Sequence, residues 1–191
     1  MRFTPRMDEK YFFPVILGTA RKGRRSEAVA RFVVAVIEGL EHKTDLVDVA
    51  EFDLLATRQS DGRIEEYRRM LDEADGLIVV APEYNHGYPG ELKLLLDAGY
   101  DEYAHKPLGL VGVSAGGFGG TRVVEQLRQV GLGFRMIPIA HAVYVSRVKD
   151  LIDDDGSLSD AKVGKATEKL VDEMVFVAGA MGPARRNREN R

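Results

Sequence analysis

Cysteine is absent from the 191 residues. That excludes disulfides, thiolate zinc sites, cysteine-ligated iron–sulfur clusters and any thiol redox couple. Redox chemistry in this chain would need a bound cofactor. Long apolar runs are also missing, and none approaches the roughly 18 residues that cross a bilayer. The first stretch, MRFTPRMDEKYFFPVILG, has charges and a proline where a signal peptide keeps its apolar core, so a cytoplasmic protein with no membrane partner is expected. An excess of one charge is lacking too. The net charge of −3 gives no field suited to nucleic acid or a membrane surface. Apolar residues at 45% and charged residues at 30% are ordinary globular values. The length fits one domain, read here as residues 1–182. A basic tail over 183–191 (PARRNRENR) is expected to be disordered and solvated.

What is present is an alternation of strand and helix. Residues 12–18 (FFPVILG) form an apolar run, and Val29, Phe32, Val33, Val36, Ile37 and Leu40 then recur along one helical face. Residues 44–49 read as a half-buried strand, 51–60 as a loop, and Ile64, Tyr67, Met70, Leu71 and Ala74 as a second helical stripe. Residues 76–81 (GLIVVA) and 107–113 (PLGLVGV) are apolar throughout, as central parallel strands are. Helices over 91–99 and from Thr121 to about Val130 follow them in turn. One strand is expected within 135–145, broken at Pro138, and a last helix from about Ser159 as its N-cap. Five βα units in a row predict an open, doubly wound α/β fold, a five-stranded parallel sheet in the order 2-1-3-4-5 with helices on both faces.

In that order the loops after strands 1, 3 and 4 share the carboxyl edge of the sheet at the point where the strand order reverses, which is where such folds bind ligands. These are also the most unusual loops in the chain. The first, Gly18 to Ser26, holds Arg21, Lys22, Arg24 and Arg25, with hydroxyls at Thr19 and Ser26, and it opens a helix. That combination suits a phosphate, although the P-loop spacing is missing. The second, Pro82 to Gly90, has two prolines and two glycines around Tyr84, Asn85, His86 and Tyr88, a rigid turn with faces and donors for a flat heteroaromatic ring. The third, Ser114 to Arg122, has four glycines in five positions and lets backbone N–H groups approach a ligand.

Three other motifs compete. Gly112-Val113-Ser114-Ala115-Gly116 matches G-x-S-x-G and raises a serine hydrolase with Ser114 as nucleophile. Its triad would have to come from Glu125, in mid-helix, and His141, a poor arrangement. Gly117 to Arg122 fails the dinucleotide fingerprint, with Arg where the last glycine belongs. Asp153 to Gly156 resembles a calcium loop, but its first and twelfth positions would be Leu151 and Lys162. The four histidines, at 42, 86, 105 and 141, lack metal-ligand spacing, so no metal is expected.

Taken together the three loops resemble the NADPH-dependent FMN reductase family, flavodoxin-like enzymes that include quinone, azo-dye and chromate reductases. Gly18-Thr19-Ala20-Arg21 with Ser26 is similar to its first motif. Pro82-Glu83-Tyr84-Asn85, Pro89-Gly90, Leu92-Lys93 and Asp97 match its most specific one. Gly119-Gly120-Thr121-Arg122 with Leu127-Arg128 matches the third. The likeness spans residues 12–145 in one collinear order. Thr19 replaces a usual serine but keeps the hydroxyl, Leu94 replaces a common asparagine, and the first loop is more basic than usual.

The resemblance implies a flavodoxin-like FMN-binding domain. Thr19, Arg21 and Ser26 would hold the FMN phosphate. Pro82, Glu83, Tyr84 and Asn85 would line the ring and ribityl side. Ser114, Gly116 and Gly117 would present backbone to the pyrimidine end. No side-chain acid or base is required. The implied activity is ping-pong transfer from NADPH or NADH through FMN to a small flat acceptor such as a quinone, with Arg24 and Arg25 reading the 2′-phosphate of NADPH. A non-enzymatic flavodoxin-type electron carrier is the alternative within flavoproteins. Relatives of this kind pair, which implies a homodimer or homotetramer, with Tyr100 to Tyr103 as a contact.

Overall fold

Three strands with no polar residue on either face organise the chain. The computed structural model describes residues 9–54 and 62–189. The expected 51–60 loop falls largely outside the described residues, as do the first eight and the last two. β1 (Val15–Leu17), β3 (Leu77–Pro82) and β4 (Pro107–Val113) are buried along their whole lengths. β2 (Leu46–Asp48) alternates and forms one edge. All pairings are parallel, and the order is β2-β1-β3-β4-β5, as the sequence predicts.

The fifth strand is divided. β5 (Ile137–Pro138) and β6 (Val143–Val145) both pair with β4, at its start and at its end. Pro138 has no N–H to extend a ladder. The carbonyls freed by the break are taken by a side chain: the Arg128 guanidinium donates to Ile139 O and to Ala140 O.

Helices cover both faces. α1 (Ser26–Gly39) and α5 (Ala161–Glu189) pack one side, with Val29, Val33, Ile37, Leu170 and Met174 in the core. α2 (Gly62–Glu73), α3 (Gly90–Leu96) and α4 (Thr121–Gly133) pack the other, with Leu71, Leu92, Leu95, Val123 and Leu127 inward. None of the described helices is long and apolar enough to cross a membrane.

Two local expectations, the cap of α5 and the role of Tyr103, are corrected. The cap of α5 is Asp160 rather than Ser159: its Oδ1 accepts from the Val163 N–H at 2.8 Å. From Pro183, where a disordered tail is expected, α5 continues to Glu189 with Pro183 inside it. Arg185, which pairs with Asp75 at 3.9 Å, anchors this last part to the body of the fold. Tyr103 cannot serve as a contact between copies, since it is buried and its hydroxyl donates to Leu96 O at 3.0 Å. Tyr100 remains exposed.

Tyr103 also meets Tyr67 hydroxyl to hydroxyl at 2.7 Å inside the second core. Burial pushes both phenols above their ordinary value near 10. The unfolded chain therefore loses these protons first as the pH rises. Their contribution to stability is complete below about pH 10 and is lost as pH climbs from there toward the folded values. We predict a steep fall in urea midpoint above about pH 10. The Y67F/Y103F double variant should flatten it, and an unchanged slope would show that other groups govern alkaline unfolding.

Candidate active site

The three unusual loops leave the sheet at one level. Gly18 N–H donates to Val80 O, Glu83 N–H to Val113 O and Ser114 N–H to Val145 O, each at 2.9 Å. Between them lies a cavity of about 400 Å³, lined by residues 21–26, 82–84 and 113–115 and by Val148. A groove of about 490 Å³ between β5 and α5 is apolar apart from Asp172 and Glu173 and has no cation to offer an anion.

The first loop is held from behind. Thr19 is fully buried, and its hydroxyl donates to Glu91 Oε1 at 3.0 Å and lies 3.2 Å from the Tyr84 hydroxyl. The same carboxylate accepts from Ala20 N–H at 3.1 Å. Arg24 is committed as well. It forks onto both oxygens of Asp48 at the end of β2, and it also reaches Glu27 and the Thr19 carbonyl. Arg24 is therefore a staple for the loop and not a free reader of phosphate, which corrects half of the expected NADPH-reading pair.

The front of this loop is open. Arg21, Lys22 and Arg25 are exposed and have no carboxylate partner among the described residues. The Arg21 guanidinium lies 5.8 Å from the centre of the Tyr84 ring. α1 begins with no side-chain cap at Arg25. Ser26, its first residue, is only 2% exposed, and its hydroxyl is buried with no partner. Buried polar groups are nearly always satisfied, so this one marks a place where an acceptor belongs. Free N–H groups, the helix dipole and nearby cations together make that acceptor an anion.

The second loop is rigid by construction. Tyr84 and Gly87 exchange backbone hydrogen bonds at 2.9 Å across Asn85 and His86, both with positive φ, a type I′ turn. Two side chains one turn apart on α4 clamp it. Arg122 pairs with the Glu83 carboxylate, and Gln126 donates to His86 O at 2.9 Å. The other Glu83 oxygen accepts from Arg122 N–H at 3.2 Å and so caps α4. Pro82, Glu83 and Tyr84 face the cavity. Asn85 sits exposed at the turn's tip and is not part of its lining.

The third loop is wired through Ser114. Its hydroxyl donates to Gly116 O and accepts from Gly119 N–H, both at 2.9 Å. Gly120 has φ +77°, and a Cβ there would lie 2.7 Å from Val113 N, so this glycine is required by the fold. Gly116 and Gly117 face open space, and their N–H groups donate to no described residue. The hydrolase reading finds no triad. Ser114 is occupied by the loop, Glu125 pairs with Arg128, and His141 Nε2 lies 3.0 Å from Ala166 O on α5.

Sequence reasoning thus finds the three loops but misses Glu91, Asp48, Gln126 and Val148. Arg122 stands in the third motif, yet its role as the partner of Glu83 is not visible there. These act across 24 to 72 positions of sequence, or line the cavity from an otherwise unremarkable turn.

The model of the NADPH-dependent FMN reductase family matches residues 14–150. A probable NADPH:quinone oxidoreductase of Oryza sativa is 31% identical over 172 residues, 82% of this chain and 86% of that protein. An NADPH azoreductase of Bacillus sp. is 25% identical over 163 residues, 84% of this chain and 86% of its own length. Among solved structures, a flavoenzyme NAD(P)H:acceptor oxidoreductase of Paracoccus denitrificans superposes with a TM-score of 0.75 at 20% identity, covering 88% of this chain and 97% of that one. The fold is flavodoxin-like, and the chain belongs to the NADPH-dependent FMN reductase family, NAD(P)H-dependent oxidoreductases that work with FMN.

Proposed function

We propose that FMN occupies the cavity at the carboxyl edge of the sheet, and that NAD(P)H and a quinone or similarly flat acceptor use the site alternately in a ping-pong cycle. The observation that carries this reading is the buried, unpartnered Ser26 hydroxyl at the uncapped start of α1. FMN, once bound, supplies the hydride chemistry, while the protein supplies binding, orientation and electrostatics.

Ser26, the free N–H groups of α1 and Arg21 hold the phosphate. Thr19 serves that site through the loop, fixed by Glu91 and Tyr84. Pro82, Glu83 and Tyr84 form the ring and ribityl side, with Glu83 held in place by Arg122, while Asn85 shapes the turn that carries them. Ser114, Gly116 and Gly117 bring backbone to the pyrimidine end, where N–H donors stabilise developing negative charge. With Arg24 locked, Arg25 and Lys22 are left to read a second phosphate, that of NADPH. The relatives in sequence are named as reductases, which favours this reading over a one-electron carrier. The working unit is a homodimer or homotetramer, with the exposed Tyr100 as a contact, and a monomer in sedimentation would reject that.

Three variants test the assignment. S26A removes an unsatisfied buried hydroxyl, so the FMN-free protein should unfold at the same urea concentration as wild type or a higher one. Its FMN Kd should nevertheless rise about tenfold. A less stable variant with normal FMN binding would make Ser26 structural only. R21A should weaken FMN binding by roughly 1.5–3 kcal/mol, the loss of one charged hydrogen bond, and an unchanged Kd would remove Arg21 from the site. R25A should raise KM for NADPH about five- to tenfold with little change for NADH. Equal effects on both would contradict a role at the 2′-phosphate.

A further inference from the structure

Phe118 is the most exposed of the large apolar side chains described, at 69%. A lone exposed apolar residue is ordinary. This one is distinguished by how firmly it is held. Its carbonyl accepts from Thr121 Oγ1 at 2.6 Å and Thr121 N–H at 3.2 Å. Its loop is closed by the two Ser114 hydroxyl bonds. The Arg122 guanidinium lies 5.1 Å from the ring centre, a cation–π contact. Arg122 is in turn bound to Glu83, a wall of the cavity. An unbroken chain of contacts through Arg122 therefore links an exposed aromatic ring to Glu83 in the wall of the site.

We propose that Phe118 is the ledge on which the flat acceptor stacks, a specificity-determining residue that favours fused-ring quinones and other planar aromatic oxidants over acceptors without a ring. The inference rests on the reading of the cavity as the FMN site. One side of the ring is engaged by Arg122, and the ring's large exposure leaves surface for a second aromatic. Stacked rings gain attraction beyond the area they bury. A ring set on a hydrogen-bonded loop and against Arg122 has less side-chain freedom to lose on binding, so more of that gain appears as affinity.

The test uses oxidised, FMN-loaded protein without NAD(P)H, so that 1,4-naphthoquinone binds and nothing turns over. Its Kd is read from the change in the flavin absorption band. F118A should weaken naphthoquinone binding about tenfold, and F118W should stay within about twofold of wild type. Both should keep the wild-type FMN Kd. Wild-type naphthoquinone affinity in F118A would overturn the inference while leaving the FMN site intact. So would a change in sedimenting mass in place of a change in Kd, which would assign the ring to a contact between copies of the chain. Failure of the wild-type protein to bind FMN would overturn the underlying reading and this inference with it.

Discussion

Gly18, Glu83 and Ser114 open the three functional loops, and each donates its backbone N–H one strand further across the sheet, to Val80, Val113 and Val145. This relay continues the parallel pairing of β1, β3, β4 and β6 beyond the strands themselves. It exists because β1, β3 and β4 are buried along their whole lengths, so that a slip in register would draw polar loop residues into the core. Loops that start at one level can then face one another. A cavity whose three walls come from residues 21–26, 82–84 and 113–115, far apart in the chain, is the consequence.

The first loop divides its labour in a way that composition conceals. Four cations in five positions look like one field. Arg24, however, is spent on Asp48, Glu27 and the Thr19 carbonyl, and so ties the loop to β2. The remaining three cations face outward, beside a helix start left without a cap and a serine left without a partner. In the ligand-free protein that serine is a cost to stability. Such a cost persists where a bound group offsets it, and an anion seated on α1 does so. The α4 side chains Arg122 and Gln126 play the matching part for the second loop, fixing Glu83 and the His86 carbonyl.

The sheet and its order were legible in the sequence because they follow from local patterns: apolar runs of strand length separated by helical stripes. The three loops were legible because Gly, Pro and charge concentrate at the ends of those runs. Glu91 was not, since nothing in the first turn of α3 announces a carboxylate that reaches back to Thr19, 72 positions earlier. The splitting of the last strand followed from Pro138, but the use of Arg128 to fill the gap did not. At the carboxyl end, a run of arginines after a proline reads as a loose tail. Arg185 instead finds Asp75 on the loop before β3, and α5 continues. In each case the missing information is a partner distant in sequence, which propensity and periodicity do not encode.

The central claim is that the cavity over α1 holds FMN for reduction by NAD(P)H. Titrating FMN into the purified protein, then adding NADPH without oxygen, tests it in one cuvette. The account predicts a saturable perturbation of the flavin absorption band that NADPH then bleaches. Free-flavin absorption unchanged by the protein would contradict it.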